Sequence, residues 1–339
     1  MKAYVYKRYG PPEVLRQVTL PCPKPGETDV LVRIHAATVC SADWPLRSLT
    51  MPPGIGWMGR PAIGFFGPRK PVRGTEFAGT IAAVGAGDSQ FKAGDQVLGF
   101  PGAALGAHAQ YISMLSNGKI LHKPANLSFA QAAALLFGAA TAYDYLVNRG
   151  RVQSGEHIPI NGANGSVGLT CVQIALLAGA QVTAVCSQRN RAFLRQLGVQ
   201  ETIDYHTTDF ASRGRTYDVV VDTVGTAPWR RCSKVLRHGG HMLLISGKAS
   251  DMLLGPLKAR LAGKSLISGV AHELREILQD VVAMAASAAL MPVIDREYPF
   301  GQMIEAHRYV DSGRKRGAVV IRMLDEVASG SKTRLDTAE

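Results

Sequence analysis

The stretch INGANGSVGLTCVQIALLAGAQVTAVCSQRNR, Ile160–Arg191, decides how the chain is read. It runs as an apolar strand, a glycine-rich turn, an amphipathic helix and a second strand, the order of a dinucleotide-binding unit. Ala163-Asn164-Gly165-Ser166-Val167-Gly168 fits G-x-G-x-x-G with Ala in the first position. Gly165 would let the backbone approach a pyrophosphate, Gly168 would let the helix pack on the strand, and the free N–H groups of the helix start would hold the negative charge. NAD-preferring units end the second strand in Asp or Glu, which binds the ribose hydroxyls and repels a 2′-phosphate. Here the strand ends in Cys186 and Ser187. Ser187 can donate to a phosphate oxygen, Arg189 and Arg191 can supply charge-assisted bonds, and Tyr205 can add its hydroxyl. NADP(H) is therefore expected over NAD(H); the competing reading makes the arginines surface charges on the next helix.

Outward from this unit, strands and helices alternate. HIPI, QVTAVC, ETIDY, YDVVVDTV, HMLLIS and SLISGV read as strands, with helices near 166–178, 190–197 and 228–237. Such alternation means a parallel sheet covered on both faces. Pro159 is discordant, because a central strand loses a ladder donor there. Upstream, Ser128 can cap a helix running to Gly150. Further upstream the texture is β-rich and punctuated by Pro21, Pro23, Pro25 and Gly26. Beyond Gly269 come a helix over roughly 272–290, VIDREYPF, a helix containing IEAHRYVDSG, and a last strand GAVVIRM. This end is expected to pack back on the β-rich beginning. The polar tail from about Asp325 is expected to be mobile.

Bulk properties bound the rest. The 339 residues suggest two domains, and 46% apolar with 19% charged residues is ordinary for a chain with large cores. The N-terminus reads as a strand, so no signal peptide is expected. VVAMAASAALM falls short of the roughly 20 residues that span a membrane. The 5 cysteines are scattered without a CxxC pair, which points to a reducing cytoplasm. The formal net charge is +12. It is spread along the chain and richest at Arg314-Lys315-Arg316, so nucleic acid is not an expected partner.

GTEFAGTIAAVGAGDSQFKAGDQVLGF (74–100), AATVCSADWPLR (36–47), PANLSFAQAAALLFGAATAYDYL (124–146), the glycine turn, TIDYHTTDF (202–210) and IEAHRYVDSGRKRGAVVI (304–321) occur in this order. Together they resemble the medium-chain dehydrogenase/reductase superfamily, nearest its quinone oxidoreductase-like branch. The resemblance implies an α/β chain: a doubly wound Rossmann sheet over 126–271, and a GroES-like β-rich catalytic domain from 1–125 and 272–339. It also implies a cleft between the two domains and a homodimer through the Rossmann sheet edge. Members with a catalytic zinc hold it with a Cys, a His in Gly-His-Glu and a later Cys. This sequence keeps Cys40, has Gly74-Thr75-Glu76, has no thiol near Phe137-Gly138, and lacks the four-cysteine lobe. No metal is expected, since zinc needs three protein ligands and an open position.

Without a Lewis acid, an acceptor that takes hydride readily is favoured: a quinone or a C=C bond conjugated to a carbonyl. Ketone or aldehyde reduction, and non-catalytic NADPH binding, stay open as alternatives. By resemblance, Thr141 sits near the nicotinamide. Val224, Ser246, Gly247, Gly269 and Val270 line the cleft at strand ends, and Arg314 and Lys315 reach the phosphates. Cys40, Asp43, Trp44 and Arg47 are the expected catalytic and substrate-side residues. Asp43 reads either as an acid or as a helix cap, Trp44 as core, cleft wall or stacking platform, and Glu76 as structural. No tyrosine proton donor lies between Trp44 and Phe77. The long Pro/Gly-rich stretch 47–74 is expected to flank the cleft and set substrate choice.

Overall fold

The computed structural model describes residues 1–50, 64–65, 67–87 and 89–323. Six strands form one sheet in the order Glu201–Asp204, Gln181–Cys186, His157–Asn161, Tyr217–Asp222, Leu236–Leu244, Ser265–Ser268. Every neighbouring pair is parallel. Runs such as VVVD have both faces buried, as a sheet covered by helices requires. Chain order reverses between His157–Asn161 and Tyr217–Asp222, the place where such sheets open a crevice at their carboxyl ends.

Pro159 lies inside the central strand and is accommodated by a one-sided ladder. Pairing with Gln181–Cys186 runs from His157 to Asn161, but pairing with Tyr217–Asp222 involves only Ile160 and Asn161. Thr223 N–H donates to Asn161 O at 3.1 Å. Two residues back along the strand, Pro159 faces the same neighbour and has no donor to offer. Below it, His157 N–H donates instead to the Asp218 carboxylate at 2.8 Å.

A second sheet has the order Ile294–Pro299, Ala318–Arg322, Asp29–Val39, Phe77–Val84, Gln96–Gly99, Ile120–His122, with Tyr111–Leu115 also paired to Asp29–Val39. The two ends of the chain thus share one sheet: Val319 faces Val39 and Arg322 faces Ala36 in an antiparallel register.

Some helices differ from the pattern read in the sequence. Ser128 closes a capping box with Gln131, but the helix breaks into Phe129–Ala133, Leu136–Tyr143 and a wider turn over Asp144–Arg149. The helix near 228–237 is only Trp229–Cys232, since Leu236 already begins a strand. Ala249–Leu261 forms a helix with Pro256 inside it and Leu253, Leu254, Leu257 and Leu261 exposed.

Beneath the short helix Asp43–Ser48 lies a buried polar cluster. Asp43 accepts from Cys40 N–H at 2.8 Å and pairs with Arg73 at 3.4 Å. Arg47 donates to His307 Nδ1 at 2.8 Å and pairs with Asp311. Tyr6 accepts from Arg73, and His108 Nε2 donates to Thr38 O at 2.9 Å. The two imidazoles meet edge to face at 5.6 Å. Arg47 can only donate, so His307 Nδ1 is unprotonated and its proton sits on Nε2. Burial holds His307 well below the ordinary histidine range and lowers His108 as well. A depressed folded pKa stabilises the fold above the unfolded value near 6.5, and that stability drains away as pH falls. We therefore expect stability to drop below about pH 6.5. His307→Gln keeps an acceptor for Arg47 and should flatten the slope by up to one proton, about 1.4 kcal/mol per pH unit. Denaturant titrations at several pH values measure this.

Candidate active-site cleft

A cleft of ≈ 1200 Å³ opens at the carboxyl ends of the parallel strands, walled on its far side by segments flanking the strands of the second sheet, among them Ser41, Pro45, Thr75 and Phe100. Its floor is the glycine turn. Gly162, not Ala163, takes the tight-turn position, with φ +81 and no room for a Cβ beside Thr223 and Val224. Ala163 is fully buried and does not reach the cleft, which corrects the sequence-based alignment of the motif by one residue. A Cβ on Gly168 would stand 2.1 Å from Gly162 O, so this glycine is dictated by helix–strand packing. Gly165 differs: its backbone is extended (φ −76, ψ 169), and a Cβ would meet only Gly162 O at 3.7 Å. Nothing in the protein requires glycine there, so the space it leaves belongs to the cleft.

The returning segment docks on this turn. Gly317 N–H donates to Asn164 O at 2.9 Å, and Ser166 Oγ donates to Gly317 O at 2.8 Å. Lys315 Nζ donates to Ser166 Oγ at 2.8 Å and to Gly317 O at 2.8 Å. Burial lowers the Lys315 pKa to about 8. An ammonium has three donors, and two are accounted for by these bonds.

At one end of the cleft stand Ser187, Arg189 and Tyr205. Arg189 is steadied by a 2.6 Å bond to Arg314 O. Arg191 is turned away: its guanidinium bonds Thr202 Oγ1 at 2.8 Å and Gln188 Oε1 at 2.8 Å on the sheet edge. The Arg314 side chain and Gly247 also lie outside the lining. Thr141, Asn164, Val167, Val224, Ser246, Gly269 and Val270 lie within it. Asp209 lines the same end, unforeseen in the sequence because it follows the third strand; it accepts from Ala211 N–H and faces Arg231.

On the opposite side the expected residues are displaced. Asp43 and Arg47, one turn apart, both face the buried cluster. This sends Trp44 toward solvent, at 44% exposed, and leaves Ser41, Ala42, Pro45 and Leu46 to line the cleft. Cys40 is buried, with Sγ 3.7 Å from Thr75 Oγ1, and burial pushes its thiol pKa far up. None of Cys40, Asp43, Trp44 and Arg47 belongs to the lining. Residues 51–63 and 66, most of the loop expected to set substrate choice, lie outside the described residues.

The chain matches two family models: an alcohol dehydrogenase GroES-like domain over residues 26–125 and a zinc-binding dehydrogenase model over 197–321. It is 29% identical over 334 residues to a chloroplastic quinone-oxidoreductase homolog of Spinacia oleracea, covering 95% of this chain and 98% of the relative. It is 30% identical to 2-methylene-furan-3-one reductase of Solanum lycopersicum, covering 95% of this chain and 79% of the relative. The Escherichia coli quinone oxidoreductase solved with NADPH superposes with a TM-score of 0.81 at 25% identity, over 95% of this chain and 100% of that one. The chain belongs to the medium-chain dehydrogenase/reductase superfamily, in its quinone oxidoreductase-like branch. It is an oxidoreductase.

The superfamily includes zinc enzymes, but the residues of this oxidoreductase do not suit that metal. Among the described residues no three His, Cys, Asp or Glu side chains converge on a metal-sized point. Glu76, beside Cys40 in space, is already committed: it accepts from Thr38 Oγ1 at 2.6 Å and from Phe137 N–H at 2.7 Å, and burial raises its pKa to about 7. A buried protonated thiol, a threonine and an engaged carboxyl do not suit zinc.

The sequence offered little to reveal the remaining wall. Thr75, Phe137, Glu273 and the loop bearing Phe100 and Leu105 line the cleft from separate parts of the chain. Only the Pro101-Gly102 and Gly106 punctuation hinted that a special loop follows Gln96–Gly99.

The two turn glycines yield a paired prediction. Gly168→Ala should destabilise the fold by roughly 1–3 kcal/mol through overpacking, seen as a lower Tm. Gly165→Ala should leave Tm within a degree or so while weakening dinucleotide affinity, measured by fluorescence titration.

Proposed function

We propose that this oxidoreductase is zinc-independent and uses NADPH to reduce a quinone or a carbonyl-conjugated C=C bond. The observation that carries this reading is the end of strand Gln181–Cys186, where Ser187 and Arg189 stand in the cleft in place of an acid, with Tyr205 beside them and Asp209 paired to Arg231 at 3.7 Å. A bound NADPH supplies a hydride. The chain's own residues bind and orient. The N–H groups at the start of Ser166–Leu177 would hold the pyrophosphate in the space left by Gly165. Lys315 adds a third donor there, and Thr141 borders the nicotinamide end. The relative solved with NADPH supports the same assignment.

Opposite the cofactor, Pro45, Leu46, Phe100, Leu105 and Phe137 form an apolar wall that excludes water and suits a flat, conjugated acceptor. Ser41 and Thr75 are the hydroxyls available to bond its oxygen, and solvent supplies the proton that completes reduction. The relatives named for quinone and furanone reduction support this acceptor class. In this reading residues 1–125 with 272–339 form the catalytic unit and 126–271 the cofactor unit.

Assembly and location complete the reading. No helix among the described residues is long and apolar enough to cross a membrane. The free buried thiols Cys40, Cys171, Cys186 and Cys232 suit a reducing cytoplasm. Ser265–Ser268 is the edge of its sheet, flanked by the exposed leucines of Ala249–Leu261. A second copy of the chain adding across this edge would cover both.

Two measurements test this. NADPH should bind more tightly than NADH, and Arg189→Ala should weaken NADPH roughly tenfold with little effect on NADH; equal affinity for the two dinucleotides would remove the phosphate-site argument. Leu257→Glu should convert a dimer to a monomer in sedimentation, with the fold intact by circular dichroism.

A further inference from the structure

Leu105 has φ +59 and ψ −168. Only glycine enters this region freely, because a β-carbon there collides with its own backbone. The chain places glycines at the neighbouring left-handed positions, Gly102 (φ +55) and Gly106 (φ +111), yet keeps a leucine at the third.

The strain has no route of escape. Leu105 N–H donates to Gly102 O at 3.0 Å, and Gly102 N–H donates to Thr75 O at 3.2 Å. On the other side Gly106 N–H and His108 N–H both donate to Arg73 O, at 3.2 and 2.8 Å. Arg73 is itself buried and paired with Asp43. Both ends of the loop are therefore fixed to the segment that carries Thr75.

Nor does core packing repay the strain. The three hydrophobic clusters of the fold, with the partly buried residues packed on them, do not include Leu105. It instead lines the cleft, together with Phe100 and Ala103 of its own loop and Val270 and Ala271 of the other domain. The backbone cost is therefore not offset by the core, and the cleft is where this residue stands.

We infer that Leu105 is a specificity-determining residue: its strained backbone holds the isobutyl group as a wall that narrows the acceptor end and favours single-ring over fused-ring acceptors. The inference rests on the acceptor class proposed above. Leu105→Ala removes the wall and keeps the strain, whereas Leu105→Gly removes both.

The test compares 2,6-dimethyl-1,4-benzoquinone with 2-methyl-1,4-naphthoquinone, by kcat/KM with NADPH and by equilibrium dialysis against the NADP⁺-bound protein. Both variants should raise the fused-ring to single-ring ratio at least fivefold, with KM for NADPH within twofold of the parent. Leu105→Gly should melt above Leu105→Ala. A ratio unmoved in both variants overturns the wall, and a glycine variant that melts lower overturns the strain. If the parent binds quinones but oxidises no NADPH, the catalytic reading fails and the dialysis ratio alone decides the wall. If it binds neither quinone, both fall.

Discussion

The short run Lys315–Gly317 is where the two halves of the molecule are tied. Its amides and ammonium are bonded to Asn164 and Ser166 on the glycine turn, and the next residues enter a strand paired with Asp29–Val39. One covalent step thus joins the floor of the cleft to its opposite wall. It acts together with other ties between the halves, such as the Lys119–Glu273 pair at 2.9 Å. A shift of the returning strand would move the start of the Ser166–Leu177 helix and the wall formed by Pro45, Leu46 and Phe100 relative to each other.

A second constraint acts through burial of charge. Removing Arg47, Arg73 and Asp43 from water is costly unless each finds partners. Those partners come from distant parts of the chain: Arg47 reaches His307 across 260 residues of sequence. The cluster therefore specifies geometry more than it adds stability. It fixes which side of the Asp43–Ser48 helix faces inward, and so which residues are left to line the cleft. Glu76 works similarly at the other end, tying the sheet to the Phe137 amide.

The parts of this arrangement that were legible in the sequence are those governed by local rules. Continuous apolar runs marked the parallel strands, the Ser128 box marked a helix start, and the missing acid after Cys186 stood out against a short-range motif. The parts that were not legible depend on long-range partners. Asp43 and Arg47 looked like cleft residues because their family position was known and their partners were not. Ala163 fits the first motif position by spacing alone, because G-x-G-x-x-G does not say which residue adopts positive φ; the backbone gives that to Gly162. The Ala249–Leu261 helix escaped notice because its leucines face outward and Pro256 interrupts the pattern. Leu105 could not be singled out at all, since nothing about a leucine announces a glycine-like conformation.

The lowered pKa of Lys315 affects how the cleft handles charge. Buried against the helix start, its amine sits close to the midpoint of its titration at about pH 8. An anion settling beside it favours the ammonium form and raises that midpoint, so arrival of a phosphate draws a proton from solvent into the junction. Occupancy and proton uptake become one linked equilibrium, and the cleft's hold on anions fades in alkaline solution as the lysine is left neutral.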